Sequence, residues 1–206
     1  MKIKKLSKLF LCKKIFNKYK NIWSIENAHK YRSVRFQNKK QNKISHFGKV
    51  LKTKQNLKFF YCNIQEKSFK KILKTAIKSP TKTLDRFISI LEKRLDIILF
   101  RACFIFSLYQ AKQLISHGHV KINERIVFDA NKNVKKFDFI SLKSHKCNIW
   151  VETFLRFRNK IFSKSVPTHL EICFKSLTIC FLWSPSFFEL YFPIKNDFSL
   201  VTRFYG

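Results

Sequence analysis

The sequence predicts an α+β fold. A mostly helical N-terminal region is followed by an inserted small domain, in which a two-helix unit packs on a small antiparallel sheet, and then by a strand-rich C-terminal segment. Three observations predict this. Apolar residues recur at helical spacing between Val50 and Leu99, the period shortens to that of strands between His119 and Leu142, and β-branched and aromatic residues crowd the chain after Val166. Apolar residues make up 46% of the chain, enough for a real core.

The elements follow in order. Residues 1–44 are rich in Lys and Asn with weak periodicity, and read as a basic arm that orders on binding. Residues 45–90 read as a helical region: Val50, Leu51, Leu57, Tyr61, Ile64, Phe69, Ile72 and Leu73 fall between lysines at mostly helical spacing, and Ser79-Pro80-Thr81 is a break. The stripe Leu84, Phe87, Ile88, Leu91, Leu95, Ile98 and Leu99 predicts four helical turns, with Asp85, Arg86, Ser89, Glu92, Lys93 and Asp96 off the stripe and an internal break near Lys93 left open.

Residues 91–146 read as the helix-pair-plus-sheet domain. Its second helix has legible ends: Ser107 and Gln110 form a capping box, and Gly118 supplies the left-handed stop. Leu108, Ala111, Leu114 and Ile115 make its buried face, leaving Tyr109, Lys112, Gln113, Ser116 and His117 outward. Strands are predicted at His119–Asn123, Arg125–Phe128 and Phe137–Leu142. Residues 147–206 read as a segment packing back on the other regions, with short strands at Val166–Ile172, Thr178–Trp183 and Leu200–Tyr205.

Charge narrows the function. The chain of 206 residues has 43 Lys and Arg against 12 Asp and Glu, a formal net charge of +31. Residues 1–84 carry 24 of the cations and only Glu26 and Glu66, whereas residues 85–206 carry 19 cations and 10 acids. Such an excess on so short a chain favours a polyanionic partner. No apolar run is long enough for a membrane span. Cys12, Cys62, Cys103, Cys147, Cys173 and Cys180 include no C-x-x-C pair, so they read as reduced, mostly buried thiols rather than metal ligands or disulfides. No cofactor, metal or small-molecule substrate is expected. The scarcity of Gly and abundance of Lys, Phe, Ile and Asn fit an AT-rich organellar genome, and the Arg-free stretch Met1–Lys20 reads as an RNA-binding arm rather than an import signal.

Four blocks carry a resemblance to a known family. They are Ser45-His-Phe-Gly48-Lys-Val-Leu51-Lys-Thr-Lys54-Gln55 with Tyr61; Leu91-Glu92-Lys93-Arg94-Leu95-Asp96; Gln110-Ala-Lys-Gln-Leu-Ile-Ser-His117-Gly118; and Pro167-Thr-His-Leu-Glu171. In this order they resemble small-subunit ribosomal protein 4, in a divergent organellar, and by its degree of divergence mitochondrial, form; a plastid form is the alternative. The sequence departs from the family pattern at three turns. Cys103 stands where a glycine usually follows the first helix of the RNA-binding unit, Asn123-Glu124 replaces Asn-Gly, and Phe137-Asp138 replaces Gly-Asp.

The resemblance implies a structural protein that binds small-subunit rRNA early, at a multi-helix junction of the 5′ domain. It also implies neighbouring small-subunit proteins as partners and a place near the path by which mRNA enters. Phosphate contacts supply most affinity for RNA, and folded RNA is read through shape, phosphates and 2′-hydroxyls. On that chemistry Arg94, Arg101, Lys112, Lys121 and Arg125 are the expected phosphate ligands, with Gln113, Ser116, His117 and Asn123 donating to 2′-hydroxyls or base edges. Lys49, Lys52, Lys54, Gln55 and Lys58 form a second expected rRNA-binding set.

The rival readings are a non-ribosomal RNA-binding factor and a pseudouridine synthase-like enzyme, because an Arg-Leu-Asp triplet also holds the nucleophile of such enzymes. Asp96 lies in an apolar-striped helix and is expected instead to pair with a nearby cation or a backbone amide. No catalytic residue is predicted.

Overall fold

A computed structural model describes residues 45–105, 107–143, 167–190, 192 and 198–205. The basic arm of residues 1–44, Cys12, His145 and Cys147 lie outside these residues. The chain divides into two compact units, residues 1–69 with 192–206 and residues 70–191. Six helices and five strands are found among the described residues.

In the first unit, α1 (His46–Phe60) opens where the Ser45 hydroxyl accepts from the Gly48 amide, satisfying one of the unpaired donors of a first turn. It buries Val50, Thr53, Lys54, Leu57 and Phe60, one stripe at helical spacing. Cys62 and Asn63 at positive φ turn the chain into α2 (Glu66–Ile77), within which the boundary between the units falls. The tail expected as strand at Leu200–Tyr205 is instead a helix, α6 (Ser199–Tyr205). It packs on α1, burying Val201 and setting Phe204 6.1 Å from Phe47. Burial on a helical neighbour thus overrides the strand preference of its aromatic residues.

In the second unit, the stripe from Leu84 to Leu99 is two helices, α3 (Thr83–Glu92) and α4 (Leu95–Arg101). The break at Lys93–Arg94 has a visible cause. Residues 130–134 run back along it as a strap: the Leu95 amide donates to the Lys132 carbonyl at 3.0 Å and the Asp96 amide to that of Ala130. The Val134 amide returns a bond to the Lys93 carbonyl at 2.9 Å. The orphan amides that begin α4 are thereby satisfied by backbone from elsewhere in the chain.

Helix α5 (Leu108–Ser116) has the expected ends. The Ser107 hydroxyl accepts from the Gln110 amide, and Gly118 stands at φ +71°. Strands β1 (Val120–Ile122), β2 (Arg125–Ile126), β3 (Phe139–Leu142), β4 (Leu170–Cys173) and β5 (Thr178–Phe181) form one antiparallel sheet in the order β2-β1-β3-β5-β4. The strands after Pro167 therefore extend the sheet of the preceding domain, with Ile140 opposite both Ile122 and Ile179. One sheet face joins Leu95, Ile98, Leu99, Ala111 and Ile115 in a single core with Val120, Ile122, Ile140, Leu142, Ile179 and Phe181.

The three turns that depart from the family pattern keep left-handed backbone without glycine: Cys103 has φ 61°, Glu124 φ 68° and Phe137 φ 64°. Asn123, at φ 46°, braces one of them; its amide nitrogen donates to Asp138 at 2.8 Å and its oxygen accepts from the Phe139 amide at 2.9 Å. The described cysteines are free thiols, with Cys62 buried and Cys173 exposed.

Candidate nucleic-acid interface

The polar residues of the helix pair sort into inward and outward sets. Arg94, expected to face RNA, is only 4% exposed. Its Nη2 lies 2.7 Å from Asp96 Oδ2 and donates to Asn131 Oδ1 at 2.9 Å, while Nε reaches Asp96 Oδ1 at 3.2 Å. Arg101 likewise forks onto the buried carboxylate of Glu92, at 3.0 and 2.8 Å. Two-pronged pairing with carboxylate is what the guanidinium shape favours, and here the carboxylates are the protein's own. Asn123 is exposed, but its side-chain amide is engaged by its turn. Arg94 and Arg101 brace the domain from within.

The sequence also set Ser89, Glu92 and Asp96 off the buried stripe, yet all three are buried. Packing covers this face as well, and the two carboxylates survive burial by pairing with arginine. Asp96 is structural, as expected. Burial pushes its carboxyl above the ordinary value, and the charges of Arg94 and Lys112 pull it back only in part.

The outward set is smaller. Gln113, Ser116, His117 and Arg125 are exposed, and Lys112 and Lys121 are half-buried. Helix α5 positions the first three with Lys112, whose Nζ lies 4.0 Å from Asp96 as the outer member of the Arg94–Asp96 pair. Lys121 stands opposite Ile126 and Ser141 across the sheet, and Ser116 donates to the Gln113 carbonyl at 2.9 Å. The His117 and His119 rings stack at 6.3 Å on either side of Gly118.

A cluster that pattern reading missed lies at the strap. Lys93 is held below its ordinary value, first by burial and then by the charges of Arg86 and Lys136. Arg86 of α3 and Lys136, two residues past the strap, therefore each lie within electrostatic reach of Lys93 at the helix break, and none of the three takes part in the ion pairs found among the described residues. The backbone bonds that tie residues 130–134 to the break create this proximity. No spacing along the sequence announces it.

In the first unit the expected set also divides. Lys49, Lys52 and Gln55 are exposed along α1. Lys54 is buried, 2.8 Å from Glu66, with its Nζ 4.2 Å from the Phe204 ring centre. Lys58 meets the same carboxylate at 2.6 Å, and the Tyr205 hydroxyl donates to it as well. Burial alone would raise the Glu66 carboxyl, but the hydrogen bonds from Lys54, Lys58 and Tyr205 overcome it and lower it to about 2. Lys54 and Lys58 thus fasten α2 and α6 to α1.

A cationic helix pair seated on a small antiparallel sheet defines an RNA-binding class of module, and comparison with known proteins agrees. Residues 93–140 match the S4 domain, and residues 2–92 match the Ribosomal protein S4/S9 N-terminal domain. Small ribosomal subunit protein uS4m of Reclinomonas americana is 36% identical over 175 residues, covering 81% of this chain and 70% of that protein. Small ribosomal subunit protein uS4 of Rhodopseudomonas palustris is 31% identical over 190 residues, covering 90% and 91%, and that of a Bradyrhizobium strain is 33% identical over 192 residues with the same coverage. The chain belongs to the uS4 family of small ribosomal subunit proteins. Membership places it among structural constituents of the ribosome and not among enzymes.

Proposed function

We propose that this chain is an rRNA-binding constituent of the mitochondrial small ribosomal subunit. The observation that carries the ribosomal part is its match to uS4 proteins over nine-tenths of its length. The mitochondrial part draws on the similarity to a mitochondrial uS4m and on the AT-rich slant of the composition, since bacterial relatives match nearly as well.

Lys112, Lys121 and Arg125 neutralise rRNA phosphates, and Gln113, Ser116 and His117 reach 2′-hydroxyls or base edges beside them. Arg86, Lys93 and Lys136 form a second phosphate contact, and Lys49, Lys52 and Gln55 a third on α1. The work is electrostatic and geometric: a folded domain docks on a bend of the rRNA, early in assembly and near the path by which mRNA enters. Neighbouring small-subunit proteins complete its surroundings.

The test is sedimentation of organelle lysates through high-salt gradients. A structural constituent stays with mitochondrial small subunits at one copy each. Release into the light fractions, or recovery with plastid ribosomes, overturns the subunit or the organelle respectively.

A further inference from the structure

We propose that the exposed ring of Phe128, together with the imidazoles of His117 and His119, forms a stacking platform for an unpaired rRNA base; the proposal rests on the rRNA-binding function above. Phe128 is 66% exposed and lies outside the core. Its ring is nonetheless seated at one place. A Cβ on Gly118 would lie 3.0 Å from Phe128 Cε1 and 3.4 Å from Ile126 Cγ2, so the bare backbone of Gly118 is what lets the ring lie there. Gly118 also separates the two imidazoles, which stack on each other 27° from parallel. Three π systems therefore surround one glycine at the corner between α5 and β1.

The charge nearby selects the partner. Lys112 on α5, Lys121 on β1 and Arg125 on β2 come from the elements whose ends these aromatic residues flank. Of the adjacent carboxylates, Asp129 accepts from the Asn131 amide, and Glu124 sits on the turn beside Arg125. An apolar protein surface would gain nothing from these cations. Single-stranded loops in folded RNA are held by stacking splayed bases on Phe and His while cations hold the flanking phosphates. Every base has a π face, so the platform tolerates different sequences.

The test uses the full chain and an in vitro transcript of its cognate small-subunit rRNA, with Phe128→Ala, Phe128→Leu and Phe128→Trp compared with the parent. Loss of one stack weakens binding about tenfold. That loss is expected for the Ala and Leu variants, while Trp restores binding. The salt dependence should be unchanged in all three, because each keeps every phosphate-binding cation. Ultraviolet crosslinking should join the Phe128 peptide to a nucleotide in the parent and not in the Leu variant. Parental affinity in Phe128→Leu overturns the platform alone. Absence of salt-dependent binding by the parent overturns the rRNA-binding function as well.

Discussion

Arg94 grips the Asp96 carboxylate two residues further along, in the buried break between α3 and α4, with Nη2 to Oδ2 at 2.7 Å. A side chain expected as a phosphate ligand is thus an internal brace, and it also holds the strap through Asn131. Removing one partner of a buried pair leaves the other charge uncompensated, at a cost of about 3–5 kcal/mol. Asp96→Asn should therefore lower the urea midpoint by a corresponding amount without changing the urea slope. Measurement in high salt screens the chain's own repulsion. Arg94→Leu should leave the salt slope of rRNA binding unchanged, and a shallower slope would return Arg94 to the interface.

Cys103, Glu124 and Phe137 hold left-handed backbone that favours glycine. Strain of this kind costs on the order of 1 kcal/mol per residue. Glu124 and Phe137 are exposed, so their side chains offset little of it. Cys103→Gly, Glu124→Gly and Phe137→Gly should each raise the melting temperature; Cys103→Gly should add to either of the others, whereas Glu124 and Phe137 lie in turns joined through Asn123 and Asp138 and should couple. A fall in melting temperature for Glu124→Gly or Phe137→Gly would show that the turn gains more from the side chain than it loses in backbone strain.

Much of this fold is legible in the sequence wherever a local rule decides. The ends of α5 follow from Ser107 and Gly118, the interhelical break from Pro80, and the three strands of the small domain from their alternation. Legibility ends where distant groups decide. The split of α3 from α4 depends on carbonyls of Ala130 and Lys132, more than thirty residues away. The burial of Glu92 depends on Arg101, and the helical tail on packing against α1. For the candidate site, residue type proposes a chemistry but cannot say which side chains face outward. A buried arginine clamped to Asp96 and an exposed one on β2 read alike in sequence, and only packing distinguishes them.

The outward cations should reveal themselves through salt. Removing one phosphate-binding cation reduces the slope of log affinity against log salt by about one. Lys112→Ala, Lys121→Ala and Arg125→Ala should each do so in binding to the cognate transcript. The paired substitution Lys93→Ala with Lys136→Ala should reduce the slope by about two. If the strap cluster is merely solvated, the slope of the paired variant equals that of the parent.

His169 gives the fold an acid-sensitive point. The imidazole is buried, and neither ring nitrogen finds a hydrogen-bond partner. Burial lowers its pKa from 6.5 to about 4, with Glu92 and Glu189 pulling it up and Arg101 pushing it down. The folded value lies below the unfolded one, so the stabilising contribution is complete above pH 6.5 and disappears as pH falls toward 4. A shift of this size corresponds to roughly 3 kcal/mol over that interval. Glu66 also loses its contribution in acid, but in a lower window, between 4.5 and about 2, and Asp96, raised by burial, acts in the opposite direction as pH falls, so the comparison with His169→Leu is what assigns the decline to the histidine. His169→Leu removes two unpaired buried nitrogens and should stabilise the fold at neutral pH by about 1–3 kcal/mol. It should also flatten the decline in unfolding free energy between pH 6.5 and 4.5. An equally steep decline in the variant would assign the acid sensitivity to another group.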